Sequence, residues 1–139
     1  MKKYKDYKLE SQNPFSSLPI SLFQIIEEHV SEEEIKHFYF KRLDFVDRMS
    51  ECIIFTEKDI WFFVVQIPEI KVSVYKNYQV IELTLTKNTR QRYGGLHLKI
   101  HFKELGEVTL DSKGDAANEE WVEDLSDDIK DIFNYLKKR

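Results

Sequence analysis

The chain is poor in the residues that staple a fold or loosen a backbone. Among its 139 residues there is one cysteine, Cys52, so no disulfide can form within it. Four glycines leave little of the backbone freedom that active-site loops often use. Gly94-Gly95 stand alone with no helix pattern behind them, which excludes a Gly-rich phosphate loop. No Gly-x-Ser-x-Gly elbow is present either. The longest unbroken apolar run, Ile60 to Val65, is far shorter than the ~20 residues that cross a bilayer as a helix. The basic start, Met1 to Lys8, has no apolar segment after it and does not read as a signal peptide, so the expected location is cytoplasmic. An overall basic excess is lacking too. The net charge of −4 gives no reason to expect general nucleic-acid binding.

Apolar residues, by contrast, make up 42% and aromatics 14%, enough for the core of one domain. Cys52 lies in the apolar stretch Cys52-Ile53-Ile54-Phe55 and reads as a small buried hydrophobe. Residues 1–13 read as a polar arm and residues 14–139 as a single domain. A helix is expected near residues 20–30, with Leu22, Phe23, Ile25, Ile26 and Val30 on one face. Ser31 and Glu34 are spaced as a capping box, which predicts a second helix over 32–43 and a helical pair over 14–45.

From Ser50 the period changes to two, so residues 50–111 are expected to form five or six antiparallel strands. The run 60–65 is apolar at every position and is placed mid-sheet, covered on both faces. Val72 and Val74 are expected to face inward, as are Ile81, Leu83 and Leu85, and Leu96, Leu98, Ile100 and Phe102. Leu105-Gly106 marks a turn and residues 112–118 a polar loop. Asn118 is a candidate cap for a closing helix over 118–138, whose apolar positions are Trp121, Val122, Leu125, Ile129, Ile132, Phe133 and Leu136. The class is therefore α+β, a curved antiparallel sheet with two N-terminal helices and a long C-terminal helix.

Two phrases carry a family likeness. Residues 52–63, Cys-Ile-Ile-Phe-Thr-Glu-Lys-Asp-Ile-Trp-Phe-Phe, resemble the first hairpin of the bacterial pleckstrin-homology-like (PH-like) domains. Residues 74–83, Val-Tyr-Lys-Asn-Tyr-Gln-Val-Ile-Glu-Leu, resemble that family's tyrosine-containing lead into the next strand. The likeness covers roughly residues 50–138. It implies a partly open barrel plugged at one end by the closing helix, and a role in binding proteins, lipids or peptides rather than in catalysis. Lipid-headgroup binding in such folds uses a long basic first hairpin loop. Here the matching loop is Glu57-Lys58-Asp59, short and net acidic, which argues against phosphoinositides.

No constellation for chemistry emerges. His97 and His101 share one face of a strand but lie about 13 Å apart along it, too far to hold one zinc ion. His29 and His37 are expected near helix ends among glutamates. The acids Glu119, Glu120, Glu123, Asp124, Asp127 and Asp128 read as a solvated helix face with the N-terminal bias the helix dipole favours. The expectation is a non-enzymatic, cofactor-free protein-binding or adaptor module. The alternative is a small acidic inhibitor or immunity-type protein, favoured by eleven acids against two bases over residues 104–131. The expected contact surface is the loop 87–95, through Lys87, Arg90, Arg92 and Tyr93, because surplus loop length and arginine and tyrosine are where binding concentrates.

Overall fold

A computed structural model describes residues 3–13, 19–41, 49–66, 68–89, 95–116 and 119–139. Helices α1 (Tyr4–Ser11) and α2 (Ile20–His29) come first, then one 3-10 turn (Glu32–Glu34). Seven strands follow: β1 (His37–Lys41), β2 (Met49–Phe55), β3 (Ile60–Gln66), β4 (Glu69–Tyr75), β5 (Val80–Lys87), β6 (Leu96–Phe102) and β7 (Gly106–Asp111). A one-turn α3 (Ser112–Asp115) leads to the long α4 (Glu119–Leu136). None of the described helices is long and apolar enough to cross a membrane.

Every strand pairs antiparallel with its neighbour in sequence. The result is two meanders, β1-β2-β3-β4 and β5-β6-β7. Among the described residues no ladder joins one sheet to the other, so the architecture is α+β with two sheets that do not close. Gly106, at φ +91, turns the chain from β6 into β7 in a conformation that L side chains avoid.

The four-stranded sheet is covered on both faces. Toward one side it sends Tyr39, Ile53, Phe55, Ile60 and Phe62, which share a core with the inner face of β6 and with Leu125, Ile129, Ile132 and Leu136 of α4. Toward the other it sends Phe40, Cys52, Ile54, Phe63 and Val65, packed under Leu22, Phe23 and Ile26 of α2 and Tyr4 and Tyr7 of α1. Strand β3 therefore belongs to both cores, as its unbroken apolar run predicts.

Three sequence expectations are corrected. The helical pair over 14–45 does not form: after α2 and the 3-10 turn the chain runs straight into β1. The Glu34 carboxylate does accept from the backbone N–H of Ser31 (3.1 Å) and from its hydroxyl (2.8 Å), but it caps a single turn. Phe38, Tyr39 and Phe40 are consecutive aromatics that can face two cores only from a strand, and they favour β structure. The polar arm 1–13 is also a helix over most of its length. Tyr4, Tyr7 and Ser11, spaced three and four apart, bury one face. Finally, β1 and β2 form the first hairpin, so residues 52–63 are the second. Residues 42–48, which join β1 to β2, lie outside the described residues. So does the Asn118 cap.

Inward placement also fails at the free edges. Val74 is 40% exposed and Ile81 60% exposed. Both lie on strands that, among the described residues, have a partner on one side only.

Candidate functional site

Because the two sheets stay apart, β4 and β5 each keep one edge without a strand partner among the described residues. On β5 the pairing with β6 slips between Val80 and Glu82. A bulge of this kind re-aims side chains. Val80 and Leu83 still pack on the core, whereas Ile81 turns out to solvent.

Beside this bulge the end of α4 completes a groove of about 600 Å³, lined by residues 78–83 together with Leu136, Lys137 and Arg139. Arg139 holds that end in place. Its guanidinium donates to the carbonyl of Glu57 (2.6 Å) and to that of Tyr78 (3.3 Å), and it stacks over the Tyr78 ring at 3.9 Å. The Lys137 ammonium lies 5.4 Å from the centre of the Phe133 ring. Chemically, the groove offers an unpaired strand edge, an apolar strip from Ile81, Leu83 and Leu136, and charges at its rim. Those are the requirements for taking up an extended chain. A second concavity of about 360 Å³ is bounded by residues 33, 34, 36 and 56–59. Several of its polar groups are already engaged: the backbone N–H of Asp59 donates to the Thr56 hydroxyl (3.0 Å), the Asp59 carboxylate pairs with Lys76 (3.4 Å), and the Glu34 carboxylate accepts from Ser31.

The sequence-predicted site lies elsewhere. Lys87 ends β5, exposed, at the opposite end of the strand from the groove. Arg90, Arg92 and Tyr93 lie outside the described residues. His97 and His101 sit on the outer face of β6, opposite Asp111 and Glu107 of β7. His29 ends α2, and its ring lies tilted against that of Trp61 at 5.7 Å. His37 is on β1, not near a helix end, and packs on Tyr135 at 4.7 Å, where burial lowers its pKa against the pull of Asp131. Among the described residues no three His, Cys, Asp or Glu side chains converge as a metal site.

Cys52 is fully buried, and burial pushes its thiol well above the usual range. The acids of α4 divide. Glu119, Glu120 and Glu123 are exposed, but Asp128 turns inward and is 5% exposed. Burial, followed by the carboxylates of Asp124, Asp131 and Asp127, pushes its carboxyl up to about 8, and the Tyr7 hydroxyl opposes that rise.

The groove was missed because plain alternation places Ile81 inward with Leu83. Nothing in the residue pattern marks the bulge that reverses it. No family model, no curated protein and no solved structure matches the chain.

Proposed function

We propose that this chain is a PH-like protein-binding module that docks an extended peptide along the free edge of β5. Two unclosed antiparallel sheets that share one core with a long closing helix support the PH-like reading. The observation that carries the peptide reading is the unpaired β5 edge beside the groove, with Ile81 60% exposed where alternation would bury it. An added strand gains main-chain hydrogen bonds from the edge and side-chain selectivity from the groove.

The test is selection of binding peptides from a displayed random library, followed by affinity measurements on variants. Ile81→Glu should weaken a selected peptide by roughly tenfold or more, since it removes an apolar contact and adds a charge at the groove. The double reversal Arg90→Glu with Arg92→Glu should leave that affinity unchanged. The opposite pattern would move the site to the 87–95 loop. The inhibitor reading keeps one support, the exposed Glu119, Glu120 and Glu123 at the start of α4. It requires instead that reversing those three charges abolish capture of a basic partner.

A further inference from the structure

Another edge without a strand partner among the described residues, that of β4, points to a different occupant. Strand β4 is regular over all seven residues of its pairing with β3, with no bulge. Toward the α2 side it presents Ile70, Val72 and Val74, which lie opposite Val65, Phe63 and Trp61 of β3. Val72 is half-buried, while Ile70 is 49% and Val74 40% exposed. A long edge strand with an apolar row at its rim invites another strand, and folds usually blunt such edges with charge or a bulge. Here the only charges within the strand, Glu69 and Lys71, lie on the opposite face from that row.

We propose that β4 is a self-association edge, which pairs antiparallel with β4 of a second copy of this chain about a two-fold axis through Val72. A two-fold perpendicular to the sheet keeps the same face up in both copies, so paired residues share parity, and three central registers compete. Centring on Lys71 sets two lysines directly opposite, which destabilises a ladder. Centring on Ser73 shortens the ladder and brings Lys76 opposite Ile70. Centring on Val72 uses the whole strand: Ile70 meets the second copy's Val74, Val72 meets Val72, Lys71 meets Ser73 and Glu69 meets Tyr75. The apolar rows then run on without a break, and each sheet of four becomes half of a sheet of eight. This complementarity of the strand with itself is what selects a second copy over a foreign strand.

One seven-residue edge buries less than a standard interface, so association in the micromolar range is expected. Sedimentation equilibrium should show the mass of two chains at high concentration, dissociating to one on dilution. Ile70→Lys with Val74→Lys should abolish the dimer and leave the circular dichroism spectrum unchanged, since both positions are at the rim. Register is read by oxidation. Val72→Cys should cross-link to its own copy. Ile70→Cys and Val74→Cys should each fail alone, at about 13 Å from their own copies along the strand, yet cross-link when mixed. Buried Cys52 does not compete for the oxidant. A single-chain mass at every concentration overturns the proposal. So does a dimer that survives the double lysine variant, or an Ile70→Cys protein that cross-links to itself.

Discussion

Asp128 shows how one residue can oppose its own setting. Its neighbours along α4 include other acids, and its carboxyl is buried, so it keeps a proton in the folded chain up to about pH 8. The unfolded chain releases that proton near the ordinary value of 3.8. Between these limits folding takes up a proton. The stability contributed by this group is therefore complete below 3.8 and declines as pH rises to about 8. Asp128→Asn keeps the shape without the charge. It should be more stable than the parent above pH 8, by about 2 kcal/mol or more, and the gap should close toward acid; urea titrations across that range measure it. The sequence did mark this side chain as acidic and helical. It did not mark it as buried, because the side chain that meets it, Tyr7, lies in a segment that reads as a solvated polar arm.

At the scale of elements, α1 is a polar helix held by two rings. The Tyr7 ring lies 4.8 Å from that of Phe40 and 5.5 Å from that of Trp121, and Tyr4 packs on Phe23 at 5.8 Å. A helix of eight residues has little stability of its own, so these contacts keep it in place. Tyr7→Ala should cost about 3 kcal/mol and release α1 from the sheet. Faster amide exchange over residues 4–11, with β6 still protected, would show it; equal protection in both proteins would mean the helix is held by something else. Elements with a clean period were readable: β3, β6 and α4 fall where alternation or helical spacing puts them. Residues 35–41 were not, because Ile35, Phe38 and Tyr39 fall at helical spacing while Phe38 to Phe40 also suit a two-sided strand. Trp121 shows the same limit. Its spacing places it with Leu125 and Ile129, yet it packs against the α1 and α2 layer, since a stripe this wide can serve two cores.

Across the whole molecule, the sheet order was readable because short connections pair neighbouring strands, whereas the free edges depend on how two sheets pack and left no local mark. That same order has a kinetic consequence. All five strand pairings among the described residues are between strands adjacent in sequence, so each can form before distant parts of the chain meet. Other contacts join parts of the chain that lie far apart in sequence. The Tyr39 hydroxyl donates to Asp115 at 2.7 Å across 76 positions, Asp115 also accepts from the N–H of Asp111 at 2.9 Å, and α4 packs on β1. Closing those long loops costs more entropy than closing a hairpin, so the latch is expected to form after the barrier is crossed. Tyr39→Phe, which removes one hydrogen bond from a buried carboxylate, should then speed unfolding by roughly tenfold while leaving the refolding rate near that of the parent. Phe63→Leu, in the hairpin shared by both cores, should slow refolding instead. Stopped-flow rates in urea separate the two, and the pattern would make the meander the nucleus of this chain and Asp115 the bolt that sets its lifetime.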